Sequence, residues 1–114
     1  MRKTGAIDYI ELPGRNMSEV KRFYSAAFGW DFQSYGPHYC AFSGAGLDGG
    51  FQADGDEMHP HPLVILYAED LAAAERKVEA AGGRVTIRHD FPGGRRFHFR
   101  DPAGNILAVW TDKV

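Results

Sequence analysis

The chain has 114 residues, the length of one ordinary domain with a core of its own. Hydrophobic residues make up 44%, too many for a disordered chain, and no apolar run approaches the ~18 residues of a membrane span. The formal net charge is −2 with the signs interspersed, which leaves no basic footprint for nucleic acid.

The first element is "AIDYIEL" (Ala6 to Leu12), a strand whose alternate sets are Ile7/Tyr9/Glu11 and Asp8/Ile10/Leu12. A helix follows. Asn16 with Glu19 three residues on predicts an N-cap and capping box. Val20, Phe23, Tyr24, Ala27 and Phe28 then keep helical spacing, and Gly29 is the expected stop. Three short strands are expected near Trp30–Ser34, Tyr39–Ser43 and Leu47–Gln52, with glycine-rich breaks between them. The glycines of "GAGLDGG" lack a strand-to-helix context and read as turn and bulge, not as a phosphate loop. Cys40, the single cysteine, cannot form an intrachain disulfide and reads as a small buried strand residue of a reducing compartment.

"ADGDEMHPHP" (Ala53 to Pro62) is polar and proline-rich, a connector. Its His59 and His61 alternate as metal ligands can, but no third ligand accompanies them, and a solvated linker is the simpler account. His38 and His89 fall at strand ends and read as surface residues. The order of elements then restarts. "LVILYA" (Leu63 to Ala68) is a strand. Asp70 caps a helix with apolar positions Leu71, Ala74, Val78 and Ala81, ended by Gly82 and Gly83. Strands are expected near Arg84–His89, Arg96–Arg100 and Ile106–Thr111. In "RDPAGNILAVW", Asp101 suits the first turn position, Pro102 presets φ near about −65°, and Gly104 tolerates a positive φ. Strand, helix, three strands is thus written twice, an internal repeat of about 50 residues. The expected organisation is a single domain over residues 1–114, with module one at 4–53, a connector at 54–62 and module two at 63–112. The expected fold class is α+β: two tandem βαβββ modules, each a curved mixed sheet with one helix.

Several residues carry candidate chemistry. Glu11 shares a strand face with Tyr9, and a carboxylate in a half-dry concavity can act as a base or bind a ligand cation. The alternative is a carboxylate at the strand's end, solvated or paired with an arginine. Arg96, His98 and Arg100 form one face of their strand, and Phe97 and Phe99 the other. With the phenylalanines under the helix, the open face carries two guanidiniums and an imidazole; with the faces reversed it is an aromatic slot. The sequence leaves both open.

The chain resembles the vicinal oxygen chelate superfamily, which includes glyoxalase, bleomycin-resistance proteins and extradiol dioxygenases. The resemblance rests on "IDYIELPGRNMSEVKRFYSAAFGW", "LVILYAEDLAAAERKVEAAGGRV" and "FHFRDPAGNILAVW", which cover most of the chain in order. It implies two βαβββ modules whose sheets form a cup, in many members around a divalent metal. Such members carry His, Glu or Gln in the first and last strand of each module. The matching positions here are Tyr9, Leu63, Ala108 and a site around Gly50, with Gln52 the nearest capable side chain. Leucine, alanine and glycine side chains hold no donor atom, and a neutral tyrosine is a poor ligand for most divalent ions. Neither a metal nor a cofactor is therefore expected.

The expectation is a small-molecule-binding protein whose cup is lined by Tyr9, Glu11, Gln52, Leu63, Tyr67, His98 and Trp110. A flat aromatic ligand suits such walls. The alternative is a metal-dependent lyase, isomerase or dioxygenase relative with a rearranged site built from Glu11, Gln52 and His98. A third is a scaffold whose apolar cup serves as a subunit interface. No catalytic residue is assigned beyond the candidate Glu11. Family resemblance implies a homodimer. With no apolar block ahead of "AIDYIELPG", a cytoplasmic location is expected, with neither nucleic acid nor membrane as partner.

Overall fold

The computed structural model describes residues 2–55 and 59–113, so residues 56–58 of the expected connector lie outside the described residues. Elements run β1 (Ile7–Pro13), α1 (Met17–Phe28), β2 (Asp31–Ser34), β3 (Tyr39–Ser43), β4 (Asp48–Gln52), β5 (Leu63–Tyr67), α2 (Leu71–Ala80), β6 (Arg84–Phe91), β7 (Gly94–Arg100) and β8 (Ile106–Thr111). The fold is α+β, and βαβββ occurs twice. No helix among the described residues is long and apolar enough to cross a membrane. Two compact units emerge: Tyr9–Leu63, and the residues up to Asp8 together with those from Val64 onward.

In the Tyr9–Leu63 unit the strands lie in the order β2-β3-β4-β1. β2/β3 and β3/β4 are antiparallel and β1/β4 is parallel. A parallel pair needs a long crossover, which α1, β2 and β3 supply. Leu12, Phe51 and Cys40 stand in one row across β1, β4 and β3. Cys40, Phe42 and Phe51 form the buried cluster, joined by Met17, Val20 and Tyr24 of α1 and by Trp30 and Phe32. Tyr24 stacks on Trp30 with ring centroids 4.6 Å apart, and Trp30 lies 4.6 Å from Phe42. The Cys40 thiol donates to Met17 Sδ at 3.3 Å, and burial pushes its pKa up. It is the inert core thiol expected of this position.

The start of α1 differs from the expected capping box. Asn16 is left-handed at φ 56°, and its side chain makes no capping bond. Asparagine is among the few side chains that tolerate this region. The tight entry spends it on turning the chain, with Gly14 N–H bound to the Gln52 carbonyl at 2.8 Å. The inward stripe is Met17, Val20 and Tyr24; Phe23 and Phe28, on the expected apolar face, are 57% and 64% exposed. The apolar arc of the helix is wider than the strip the sheet can cover, so its flank and last turn stay in solvent. Gly29 ends the helix at φ 75° as expected.

In the second unit the order is β5-β8-β7-β6, with β5/β8 parallel and the other two pairs antiparallel. Asp70 caps α2, its carboxylate accepting the Ala73 N–H at 2.9 Å. Ala68, Phe97, Phe99 and Val109 form the core, packed with Leu71, Ala74 and Val78 of α2. The phenylalanines of β7 therefore lie under the helix, and Arg96, His98 and Arg100 take the other face. The 101–105 turn is built as expected. Asp101 accepts the Ala103 and Asn105 N–H groups at 2.9 and 2.8 Å and the Asn105 side-chain amide at 2.9 Å. The Asn105 bonds hold its carboxyl below the usual range. Gly104 sits at φ 91°.

Candidate functional site

Each sheet has one face covered by a helix and one that is not, and alternation along the strands decides which side chains take the second face. In the Tyr9–Leu63 unit, Leu12 and Phe51 go to the helix, so Tyr9 and Glu11 of β1 and Gly50 and Gln52 of β4 share the opposite face. Glu11 stands beside Gly50, and Gly50 beside Ala41 of β3. Glu11 is buried at 5% exposure, so it is not a solvated strand end. The Gln52 side-chain carbonyl accepts the Asp54 N–H at 2.9 Å.

Two residues given no site role from sequence, Tyr39 and Asp48, shape this face. The Tyr39 hydroxyl is hydrogen-bonded to that of Tyr9. β1 and β3 flank β4, so the two phenols meet across the strand that carries Gly50. A Cβ on Gly50 would lie 2.6 Å from Tyr39 Cζ and 2.7 Å from the Cys40 carbonyl oxygen. Asp48 is the register partner of Tyr9. Burial above all, reinforced by the charges of Glu11 and Asp48 against the opposing Tyr39 bond, pushes the Tyr9 pKa up to about 12. Alternation in "HYCAF" places Tyr39 opposite Cys40, which was a usable signal. That its ring reaches over Gly50 depends on cross-strand register, for which there was none.

In the second unit the face away from α2 carries Ile65 and Tyr67 of β5, Ala108 and Trp110 of β8, and Arg96 and His98 of β7. Register places Ile65, Ala108 and His98 in one row and Tyr67, Trp110 and Arg96 in the next. His98 is 3% exposed. Tyr67 and Trp110 meet edge to face at 5.5 Å. Around them stand three groups that local pattern could not reveal, since they lie at the chain's two ends. The Trp110 indole N–H donates to Asp8 at 2.9 Å, and the Tyr67 hydroxyl to Asp112 at 2.5 Å. The phenol bond raises the Tyr67 pKa and lowers that of Asp112. The Arg2 guanidinium lies 4.8 Å from the Trp110 ring centroid and 3.5 and 3.6 Å from the Asp8 and Asp112 carboxylates.

The positions that the resemblance matches to metal ligands are Leu63, Ala108, Gly50 and Tyr9. Leu63 and Ala108 are wholly buried apolar side chains. Position 50 has no side chain and no room for one, and Tyr9 keeps its proton to about pH 12. Among the described residues, no three His, Cys, Asp or Glu side chains group as a metal ion requires. Of the expected ligand-lining residues, Tyr9, Glu11 and Gln52 share a face in one unit. Tyr67, His98 and Trp110 share one in the other, and Leu63 is buried in β5.

Residues 6–109 match the family model described as Glyoxalase/Bleomycin resistance protein/Dioxygenase superfamily. The chain is 30% identical to the anthracycline biosynthesis protein DnrV of Streptomyces peucetius over 132 aligned positions, covering 96% of this chain and 48% of that protein. It thus spans about half the length of this relative. Solved structures share the fold, among them the following two. Methylmalonyl-CoA epimerase from Mycobacterium tuberculosis aligns with a TM-score of 0.71 at 11% identity, over 97% of this chain and 90% of that one. The Mn(II)-bound glyoxalase from Novosphingobium aromaticivorans aligns with 0.67 at 21% identity, over 98% and 40%. The repeated βαβββ units and the family match together place this chain in the glyoxalase/bleomycin resistance protein/dioxygenase superfamily.

Proposed function

We propose that this chain is a small-molecule-binding member of the superfamily that works without the usual metal. The observation that carries this reading is the chemistry at the family's metal positions. Leu63, Ala108 and Gly50 offer no donor, and Tyr9 offers a protonated phenol. What the faces away from the helices carry is an aromatic and hydrogen-bonding set, Tyr9 and Tyr39 in one unit and Tyr67 and Trp110 in the other. Such residues bind a flat apolar ligand by stacking and burial, with a few polar groups setting its orientation. The relative from Streptomyces peucetius is named for anthracycline biosynthesis, and a fused-ring aromatic is the ligand type these walls suit. The metal-dependent alternative would draw on the buried Glu11, on Gln52, whose side-chain oxygen accepts the Asp54 N–H, and on His98. A homodimer and a cytoplasmic location belong to the same proposal.

The test uses protein purified without an affinity tag. Elemental analysis is expected to find no stoichiometric divalent metal, and chelator to leave the melting temperature unchanged. A screen of flat aromatic compounds is expected to give tryptophan fluorescence quenching and thermal shifts. About one Zn, Ni, Fe or Mn per chain would overturn the metal-free reading. A screen with neither quenching nor shifts would overturn the binding reading. Sedimentation at micromolar concentration is expected to show a dimer, and a monomer there would remove that part.

A further inference from the structure

The phenol pair is unusual in its placing. Tyr9 and Tyr39 come from strands that are not neighbours, and they meet over Gly50, the glycine of β4 that shares their face. Any larger residue at position 50 would collide with the Tyr39 ring. The face of β4 at Gly50 thus holds two hydroxyls. We propose that the Tyr9–Tyr39 pair is a hydrogen-bond donor site for a neutral carbonyl oxygen of the bound small molecule. This rests on the small-molecule reading above and names the chemical class that the first unit recognises.

Each phenol has one proton and can both donate and accept. When Tyr39 donates to the Tyr9 oxygen, the Tyr9 proton is presented beyond the pair. Donation within the pair polarises it and strengthens the onward bond. Both residues are half-buried, so the bond forms where water competes less than at an open surface. The surroundings choose the acceptor. Glu11 and Asp48 place negative charge around Tyr9 and act with burial to keep it protonated. The same charges oppose a carboxylate, sulfonate or phenolate, so a ketone, quinone or ester oxygen is the acceptor that fits. This is recognition through a donor, with no Lewis acid needed to hold the oxygen.

The probes are chromone, a flat neutral ketone; chroman, which lacks the carbonyl; and chromone-2-carboxylate. Affinities come from tryptophan quenching, and infrared difference spectra report the carbonyl stretch of bound chromone. With wild-type protein the stretch is expected to shift to lower frequency than for chromone in an apolar solvent. Tyr9→Phe keeps the ring and removes the donor. It should abolish the shift and weaken chromone about fivefold, as for loss of one hydrogen bond, while chroman binding stays unchanged. Should Tyr9→Phe fail to fold, Tyr39→Phe keeps its ring over Gly50, and a smaller infrared shift is expected. Equal chromone affinity and equal carbonyl frequency in a folded Tyr9→Phe variant would make the pair a structural clasp and overturn the proposal. Chroman binding would then still support the small-molecule reading. Tighter binding of the carboxylate than of chromone, lost in Tyr9→Phe, would overturn the neutral class. Failure of all three probes to bind would overturn the small-molecule reading and this inference with it.

Discussion

Replacing Gly50 by alanine tests the close packing on the face of the first unit away from α1. The new Cβ would stand 2.6 Å from Tyr39 Cζ and 2.7 Å from the Cys40 carbonyl oxygen, distances at which something must move. Gly50 is not among the glycines with positive φ, so alanine meets no conformational penalty. Stiffening the unfolded chain would even favour the variant by about 0.4–1 kcal/mol. Against that stands overpacking, typically about 1–3 kcal/mol. The upper part of that range applies because one of the two clashing groups is backbone of a paired strand. The net expectation is a loss of about 1–2 kcal/mol, or roughly 4–10 °C in melting temperature for a chain of this size. Urea unfolding of wild type, Gly50→Ala, Tyr39→Ala and the double variant separates the two contacts. Removing the Tyr39 ring should recover part of the cost but not all of it, because the Cys40 carbonyl remains. A Gly50→Ala protein as stable as wild type would refute the claim that the Tyr39 ring and β3 close over position 50.

Gly104→Val should destabilise by about 1–2 kcal/mol. A Cβ there meets nothing within 4 Å, so the cost is purely that of φ 91°, and an unchanged melting temperature would contradict the turn geometry. Phe97→Ala removes a ring that is 1% exposed at the centre of the second unit's core. It should cost about 3–5 kcal/mol in chemical denaturation, and a loss below about 1 kcal/mol would misplace β7. In a spectrophotometric titration, the difference between wild type and Tyr9→Phe should show one tyrosine ionising near pH 12. Because the folded-state pKa lies above the ordinary value of 10, this group's contribution to stability is complete below pH 10 and is lost between pH 10 and 12. A Tyr9 that ionises with ordinary tyrosines near 10 would contradict its burial.

Sequence alone determined the succession of elements, because the signals behind it are local. Asp70 and Gly29 cap helices through bonds within a few residues of themselves. Asp101 and Gly104 build their turn from bonds inside a five-residue span. The spacing of Leu71, Ala74 and Val78 marks the face of α2 that packs on the core. Family resemblance, in turn, singled out Leu63, Ala108 and Gly50 as positions whose side chains hold no donor. Where local signals competed, the prediction failed. Asn16 could cap a helix or turn the chain, and the tight entry after Gly14 selected the turn. Tertiary structure alone decided everything that depends on pairing between distant segments. The alternation of β7 permits either face to meet α2, and only the packing of Phe97 and Phe99 with Val109 placed His98 opposite. Tyr39 joins Tyr9 across 30 residues of sequence, and Asp8 joins Trp110 across 102. A strand's period of two says which side chains share a face. It carries no information on which strand lies beside it or in what register, and the phenol pair over Gly50 is a consequence of register.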